Sequence, residues 1–372
     1  MALRALARVN LAAIERNVAR LRAGLTGGAE LCAVVKGDGY GHGAAPTARA
    51  ALAGGASSLA VATAQEAAEL RAASIREPVL VMGAISREEL PVALDARADL
   101  VAWSETFVDD LAASASAPVR VHVKLDTGMG RLGTRDLTEA LRVQRAIDSR
   151  PALRLVGAMT HFATADGDPG FLAGQLTTFL PFVAELRRRH PGLLVHAANS
   201  AATLSEPSSH FDMVRCGIAI YGCDPMNENP DRYGLEPALE LTSYVAAVKR
   251  AQAGDSAGYG RRFVAEQDTW IATLPIGYAD GVKRALTNNC DVLLGGARYP
   301  LVGTVSMDNL TIELGPTTRT RPGERATIIG RDGPHQQTAE DLAQRIGTIN
   351  YEIVCGISGR VPRVYHRDGA PV

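Results

Sequence analysis

The sequence has little cysteine and no cysteine pair of the Cys-x-x-Cys type. Its five cysteines in 372 residues are too few and too scattered for a disulfide scaffold or a thiolate zinc site. We therefore expect a protein of a reducing compartment, with the cytoplasm as its default location, and no metal centre. The cysteines are Cys32, Cys216, Cys223, Cys290 and Cys355.

The chain also lacks an excess of charge of one sign and lacks long uninterrupted apolar runs. It has 39 basic and 40 acidic residues and a net charge of -1, so its overall charge does not indicate binding to nucleic acid or to an anionic membrane. Arg4, Arg8 and Glu15 interrupt the apolar N-terminal segment, which is therefore unlike a signal peptide. No charge-free segment is long enough to span a membrane. We expect a soluble, folded protein.

Short apolar runs alternate with longer Ala-, Leu-, Glu- and Arg-rich stretches from about residue 31 onward. This alternation predicts repeated βα units, and the number of runs favours a closed TIM-type (β/α)8 barrel over a doubly wound open sheet, which usually has fewer strands. The strand candidates are LCAVVK from Leu31, SLAVAT from Ser58, PVLVMG from Pro78, DLVAWS from Asp99, VRVHVKLD from Val119, LRLVGAMTHF from Leu153, LLVHAANS from Leu193 and DMVRCGIAIYG from Asp212. The helix candidates between them include TAQEAAELRAAS, SREELPVALDARA, LTEALRVQRAIDSR and FLAGQLTTFLPFVAELRRRH.

After about Tyr233 the sequence changes to strand-like runs separated by Gly and Pro. In this half only DLAQRIG, from Asp341, resembles a helix, so the pattern predicts a separate β-rich domain. The predicted fold class is α/β, with an N-terminal (β/α)8 barrel and a C-terminal mainly-β domain. We expect the barrel in residues 10–233 and the β-rich domain in residues 1–9 and 234–372.

Polar side chains stand at the ends of several predicted barrel strands, where barrel enzymes carry their chemistry. Lys36 follows a buried apolar run and precedes glycines that allow a sharp turn. Burial would lower the pKa of this lysine and make an uncharged amine available for covalent bonding to a carbonyl group. The alternative is a strand-end lysine that reaches solvent. The other strand-end residues are Lys124, Asp126, His161, Asn199 and Ser200, and Arg215 falls within the eighth predicted strand.

The segment around this lysine, AVVKGDGYGHG, resembles the cofactor-lysine motif of the alanine racemase family, which usually has Ala or Asn after the lysine. Further matches to that family follow in order along nearly the whole chain. They are KLDTGMGRLG from Lys124, THFATAD from Thr160, NSAATL from Asn199, VRCGIAIYG from Val214, PIGYADG from Pro275, SMDN from Ser306 and NYEIVCGISGRVPR from Asn350. The resemblance implies a homodimer that uses pyridoxal 5'-phosphate to interconvert L- and D-alanine and so supplies D-alanine for peptidoglycan.

By this resemblance Lys36 carries the cofactor and acts as acid or base on one face of the substrate α-carbon, while Tyr259 of the partner subunit acts on the other face. A tyrosine of ordinary pKa, about 10, needs help to act as a base. His161 is expected to accept its proton, with Arg215 next in the relay. Arg215 is also expected to face the ring nitrogen of the cofactor, and because it does not surrender a proton it favours racemisation over transamination. A salt bridge between Arg215 and Asp212 or another acidic residue is the alternative.

The resemblance also implies binding roles for residues from both predicted domains. Lys124 matches a lysine that is often carbamylated, and its negative charge would then orient Arg131, which meets the substrate carboxylate together with the backbone of Met307 from the other subunit. Tyr278 and Asp308 match residues near the substrate entrance. The residues expected to bind the cofactor are Lys36, Tyr40, Asn199, Ser200, Arg215, Gly217, Ile218 and Tyr351.

The sequence departs from the family pattern at two positions, neither of which removes a catalytic group. Cys216 stands where proline usually precedes the Gly-Ile pair, and Ser306 stands where cysteine often precedes methionine. The Ser306 hydroxyl could broaden the substrate range, so a serine and alanine racemase stays an alternative. A basic amino-acid decarboxylase would need a carboxylate at the ring nitrogen, which Arg215 argues against. A non-catalytic cofactor-binding protein would typically be a lone barrel, and a degenerate dimer that only binds would have lost one of the two bases.

Overall fold

The structure, a computed structural model, describes residues 3–372. Its parallel strands β2 to β9 close into a barrel in chain order, which confirms the TIM-type barrel and the eight predicted strands. The strands are β1 (Ala5–Asn10), β2 (Glu30–Val34), β3 (Ser58–Val61), β4 (Val79–Val81), β5 (Asp99–Ala102), β6 (Val119–Lys124), β7 (Leu153–Met159), β8 (Leu194–His196), β9 (Met213–Cys216), β10 (Leu239–Tyr244), β11 (Ala247–Ala251), β12 (Ser256–Ala257), β13 (Phe263–Val264), β14 (Thr269–Leu274), β15 (Asp291–Leu294), β16 (Ala297–Pro300), β17 (Leu310–Gly315), β18 (Arg325–Asp332), β19 (His335–Gln337), β20 (Arg363–Arg367) and β21 (Ala370–Pro371).

Helices follow the barrel strands, and several of them begin at side chains that cap them. Thr63 accepts a hydrogen bond from the amide of Glu66 at the start of the helix Ala64–Ala72, and Asp168 accepts one from Phe171 at the start of Pro169–Arg189. Such caps satisfy backbone groups that have no partner within the helix. The helices span Leu11–Ala23, Ala44–Ala53, Ala64–Ala72, Leu90–Asp95, Glu105–Ser114, Leu137–Asp148, Pro169–Arg189, Ser200–Ser205, Ala339–Arg345 and Asn350–Cys355, with 3₁₀ turns at Pro207–Ser209, Ile218–Tyr221, Pro230–Tyr233, Tyr259–Arg261 and Arg284–Leu286.

The rest of the chain is mainly β, as the change in sequence pattern predicted. One sheet has the order β16-β15-β18-β10-β1-β20-β21 with β19 paired to β18, and smaller sheets contain β11-β14-β17 and β12-β13. The N-terminal strand β1 belongs to this part, because it pairs antiparallel with β10 and parallel with β20.

The prediction of a single helix in the C-terminal half was wrong, since Asn350–Cys355 is also helical. Its β-branched residues favour a strand, so the sequence pattern does not indicate this helix. Buried Asn350 stabilises the start of this helix by donating hydrogen bonds from Nδ2 to the carbonyl oxygen of Asp224 and to Oε1 of Glu340, both at 2.7 Å. Tertiary contacts therefore override the local preference for strand.

The described chain divides into two compact units. The barrel unit contains Ile14–Gly39 and Ala44–Ile220, and the β-rich unit contains Tyr40–Gly43, Tyr221–Val372 and the described residues up to Ala13. The predicted boundary at 233/234 falls inside the β-rich unit, and Met1 and Ala2, which the prediction also assigned to that domain, lie outside the described residues. Within residues 3–372 no helix has the length and apolar character needed to cross a membrane.

Candidate active site

Lys36 lies on a left-handed turn immediately after β2. Gly37, Asp38 and Gly39 have φ values of 61°, 50° and 62°, which glycine adopts without the steric cost that side chains impose. The Gly37 amide donates a 2.6 Å hydrogen bond to Oε1 of Glu66. The backbone that carries the half-buried Lys36 is thus held in place on the barrel.

Glu66 is a positioning group that the sequence reasoning missed. Its Oε2 accepts hydrogen bonds from the amides of Ala62, at 2.8 Å, and Thr63, at 3.1 Å, while its Oε1 accepts the bond from Gly37. The signal was present in the sequence as a Thr63-x-x-Glu66 capping box, which predicts a helix start but not a contact with a distant loop.

Arg215 is 2% exposed and its guanidinium makes four hydrogen bonds in the barrel. Nη1 donates to Nδ1 of His196 at 2.8 Å. Nη2 donates to the carbonyl oxygens of Thr160 and Ala197, both at 2.9 Å, and to Nδ1 of His161 at 3.1 Å. Burial lowers the pKa of Arg215 to about 10, so the group is still charged at neutral pH. Its Nε is buried and has no hydrogen-bond partner within residues 3–372.

The alternative interpretation of Arg215 as the partner of Asp212 is wrong. The Asp212 carboxylate lies 2.7 Å from Nη2 of Arg187 and accepts the Val195 amide at 2.7 Å. In the described part of the chain no acidic side chain forms an ion pair with Arg215. A buried guanidinium without a contacting acid is costly unless another anion or a hydrogen-bond network compensates for it.

His161 is held as a neutral imidazole of defined tautomer. Burial and the charges of Arg215, Lys124, Arg131 and Lys36 place its pKa well below the usual 6.5. Because arginine can only donate, Nδ1 of His161 must accept the bond from Arg215, so the proton of the neutral ring is on Nε2. The geometry therefore favours His161 as a hydrogen-bond donor, in contrast to the proton-accepting role expected from the resemblance.

A buried glutamine that the sequence reasoning did not single out holds the loop that carries His161. Gln175 is 1% exposed, and its Nε2 donates to the carbonyl oxygen of His161 at 3.2 Å and to Oγ1 of Thr127 at 3.1 Å. Its Oε1 accepts the Ala163 amide at 2.9 Å. Gln175 thus links the loops after β6 and β7.

Positive charges converge at the C-terminal ends of these strands. Buried Lys124 has its pKa lowered to about 7 by burial and then by the charges of Arg215 and Arg131, with Asp126 acting in the opposite direction. The charge of Lys36 also lowers the pKa of His161, so Lys36 belongs to the same group of positively charged side chains. Several cations with so little compensating negative charge form a site suited to an anionic ligand.

The Asp126 carboxylate shapes the loop that leads to Arg131. It accepts hydrogen bonds from the amides of Gly128, at 3.1 Å, and Gly130, at 3.0 and 3.1 Å, and from Nε of Arg135 at 3.3 Å. Together these bonds hold the pKa of Asp126 below its usual value in spite of its burial. Asp126 therefore stays ionised and keeps the loop folded.

The remaining barrel residues expected at the cofactor lie next to one another, on the segments 199–200 and 217–218. Ser200 Oγ accepts the Gly217 amide at 2.9 Å, and the Asn199 side chain accepts the Ala202 amide at 3.0 Å and so caps the helix Ser200–Ser205. The Gly217 amide is thus already engaged, while the Ser200 hydroxyl proton is available to a ligand. Ile218 follows at the start of a 3₁₀ turn.

In the β-rich unit, Tyr40 lies beside Tyr351, with ring centroids 6.1 Å apart. Tyr40 also packs against Tyr221 at 5.1 Å. The rings of two of the tyrosines expected at the cofactor phosphate therefore lie side by side.

The other predicted residues of the β-rich unit stand on its surface. Tyr259, Met307 and Tyr278 are 75%, 51% and 43% exposed. Thr304 Oγ1 donates to the carbonyl oxygen of Tyr259 at 2.7 Å, and the Tyr278 amide donates to that of Ser306 at 3.0 Å. The segment 304–307 therefore connects the backbone next to Tyr278 with that of Tyr259.

Asp308 follows this segment and pairs with Arg360 at 2.5 Å. Arg360 also donates to buried Asp280, whose Oδ2 accepts the Gly277 amide at 2.8 Å. This network of hydrogen bonds and ion pairs holds the surface loops of the β-rich unit in place.

Sequence comparison places both parts of the chain in one family. Residues 9–225 match the family described as "Alanine racemase, N-terminal domain", and residues 238–365 match "Alanine racemase, C-terminal domain". The chain is 42% identical to an alanine racemase of Geobacillus kaustophilus, over 97% of this chain and 94% of the relative.

Solved structures agree with the sequence matches. An alanine racemase from Bacillus anthracis with bound L-Ala-P superposes with a TM-score of 0.92 at 39% identity, covering 99% of this chain and 96% of that one. An alanine racemase from Streptomyces lavendulae gives a TM-score of 0.93 at 37% identity, with 98% of each chain covered. On these matches, which extend over nearly its whole length, the chain belongs to the alanine racemase family.

Proposed function

We propose that this chain is a pyridoxal 5'-phosphate-dependent alanine racemase that acts in the cytoplasm as a homodimer. The observation that carries the proposal is the convergence of Lys36, Lys124, Arg131 and Arg215 on neutral His161 at the C-terminal ends of the barrel strands. Such a site would accept a phosphorylated cofactor and a substrate carboxylate, and it includes a lysine on a firmly held turn.

The residues present fit the proposed cofactor. The buried Nε–H of Arg215 lacks a partner in the described residues and can donate to the ring nitrogen. The Ser200 hydroxyl and the Tyr40 and Tyr351 hydroxyls would bind the phosphate, and Lys36 would hold the cofactor covalently. When bound, pyridoxal phosphate supplies a ring system that delocalises the negative charge left by removal of the substrate α-proton.

Lys36 and Tyr259 would act on opposite faces of the substrate α-carbon. One removes the proton and the other supplies a proton on the opposite side, so the configuration inverts. Tyr259 is largely exposed on the β-rich unit, which suits a group that reaches the site of a second copy. We propose that Tyr259 acts in the active site of the partner subunit, because an exposed base needs a partner surface to exclude water.

His161 would assist the tyrosine by donating its Nε2 proton to the phenolate oxygen. The bond that Nδ1 accepts from Arg215 at 3.1 Å orients the ring for this role. This hydrogen bond would stabilise the phenolate form of Tyr259, the form that removes the α-proton. Arg215 meanwhile does not give its proton to the cofactor ring, and this favours return of the proton to the α-carbon.

Arg131 would bind the substrate carboxylate, on the loop that Asp126 keeps folded. Lys124, with its pKa lowered to about 7, has a substantial neutral fraction near neutral pH, as reaction with carbon dioxide requires. We propose that the resulting carbamate orients Arg131. The Met307 backbone of the partner subunit would bind the substrate carboxylate together with Arg131. Tyr278 and Asp308 would lie near the substrate entrance and limit the size of the substrate side chain.

Exchange of the α-proton in deuterated water tests the function. We expect alanine to exchange its α-proton and to racemise in the presence of the purified chain and pyridoxal phosphate, with an absorbance band that reports cofactor bound to Lys36. A panel of other amino acids would define the substrate range. Absence of exchange with alanine, despite bound cofactor, would refute the assignment.

A further inference from the structure

A continuous chain of buried polar side chains crosses the interior of the barrel from Arg215. After the bond from Arg215 to Nδ1 of His196, Nε2 of His196 lies 2.9 Å from Nδ1 of His122. Nε2 of His122 lies 3.4 Å from Oδ2 of Asp99. Asp99 in turn pairs with Nε of Arg120 at 2.9 Å. The sequence reasoning gave none of these groups beyond Arg215 a role.

The two ends of this chain determine the direction of every hydrogen bond in it. Arginine can only donate, so Nδ1 of His196 accepts, and the proton of this ring is on Nε2. His196 then donates to Nδ1 of His122, and His122 donates from Nε2 to the Asp99 carboxylate, which can only accept. Both histidines are therefore neutral and carry their protons on Nε2. Burial and Arg215 hold the pKa of His196 well below its usual value, consistent with this state.

A glycine on the neighbouring strand makes room for the central histidine. A Cβ at Gly157 would lie 2.1 Å from Nδ1 and 2.6 Å from Cε1 of His122. The pairing of β6 with β7 shifts register at this point, between Val121 and His122. Such irregularities commonly re-aim a side chain near a functional site. Two independent features of the backbone thus accommodate His122 at this place.

We propose that Asp99 and His122 are positioning residues that act through His196 to hold Arg215 in the rotamer whose Nε faces the cofactor ring nitrogen. The proposal rests on the proposed function of Arg215. Within residues 3–372 no acidic side chain contacts the buried guanidinium, so the Asp99 carboxylate, relayed by two neutral imidazoles, is the anion that completes its network. Asp99, His122 and His196 are 7%, 2% and 0% exposed, so water does not replace these bonds.

The first test needs no cofactor. ¹⁵N NMR of the cofactor-free chain, with ring signals assigned through His122→Gln and His196→Gln variants, reports the protonation of each ring nitrogen. We expect both histidines to be neutral with the proton on Nε2. A proton on Nδ1 of either ring, or a charged ring at neutral pH, would overturn the chain as described, whatever the activity of the enzyme.

The second test displaces His122 without removing a polar group. Gly157→Ala is compared with Gly174→Ala, because a Cβ at Gly174 meets no atom within 4 Å. We expect Gly157→Ala to lower kcat for alanine by about 10-fold or more with little change in KM, and to raise the pyruvate formed by abortive transamination per racemisation turnover. The control should match wild type in both.

Asp99→Asn keeps the side-chain shape and removes the charge, so it gives an independent measurement if Gly157→Ala does not fold. The same loss of kcat and rise in pyruvate per turnover are expected, to a smaller extent. Folded Gly157→Ala or Asp99→Asn protein with wild-type pyruvate per turnover and kcat would refute the positioning role. A wild-type chain that does not racemise alanine would instead refute the proposed function, which separates the two failures.

Discussion

Lys124 makes the stability of the cofactor-free chain depend on pH in a way that can be calculated. Its pKa is lowered from 10.5 to about 7 in the folded chain. Between these values the unfolded chain binds more protons than the folded chain, so the free energy of unfolding rises with pH across this window. Below about pH 7 the full penalty of a buried ammonium is present, and above about pH 10 it is gone.

Replacing Lys124 by methionine removes this penalty while keeping an unbranched side chain. A pKa difference of about 3.5 units corresponds to roughly 5 kcal/mol in total at 1.36 kcal/mol per unit. We therefore expect Lys124→Met to be more stable than wild type by about 4 kcal/mol near pH 7 and by about 2 kcal/mol near pH 9. The change of this difference with pH is more informative than its absolute value, because the loss of hydrogen bonds and packing does not vary with pH.

Urea unfolding of the cofactor-free chain in buffer free of carbon dioxide measures the difference at each pH. Lys249→Met, at an exposed position of β11, is the matched control and should not change the pH dependence. Added bicarbonate should stabilise wild type but not Lys124→Met, because carbamylation consumes the neutral amine of Lys124. Parallel stability curves for wild type and Lys124→Met from pH 7 to pH 9 would refute the reasoning.

Other substitutions test the remaining parts of the account. Asp126→Asn should raise KM for alanine by about 10-fold with a smaller effect on kcat, because the loop before Arg131 loses charge-assisted bonds; steady-state kinetics check this, and an unchanged KM would contradict it. Gly222→Ala should destabilise the chain by more than about 2 kcal/mol in urea unfolding, since φ is 78° and a Cβ would lie 1.8 Å from a carbonyl oxygen, whereas Gly174→Ala should not destabilise it. Ser306→Cys should narrow the preference toward alanine over serine, and identical kinetics for both substrates in wild type and variant would count against a role for the hydroxyl.

The barrel could be predicted because each of its βα units is specified by a short, continuous stretch of the sequence. Each βα unit has its own apolar strand and amphipathic helix, and the polar residue after each strand marks the end where the site forms. Lys36, Lys124, His161 and Arg215 were therefore found from their positions along the chain and from the family resemblance. The structure then supplied the hydrogen bonds among them, such as the one from Arg215 to His161.

The features that could not be predicted from the sequence depend on closure of the barrel or on contacts between residues far apart in the chain. His122 and His196 are 74 residues apart and meet only because β6 and β8 face the same interior. The short strand β1, near the start of the chain, pairs with β10 and β20, which both lie in the second half of the chain. Glu66 and Gln175 read as ordinary helix residues, and only the structure identifies the loops they hold.

Subunit complementation tests whether each active site combines Lys36 of one subunit with Tyr259 of the partner. Lys36→Ala and Tyr259→Phe homodimers should each be inactive in racemisation. When equal amounts are dissociated together and reassociated, half of the dimers are mixed, and each mixed dimer contains one intact site. If the site is shared between subunits, we expect recovery of about one quarter of wild-type activity. Reassociated mixed dimers that remain inactive would show that both groups must lie in the same subunit, and would contradict the shared site.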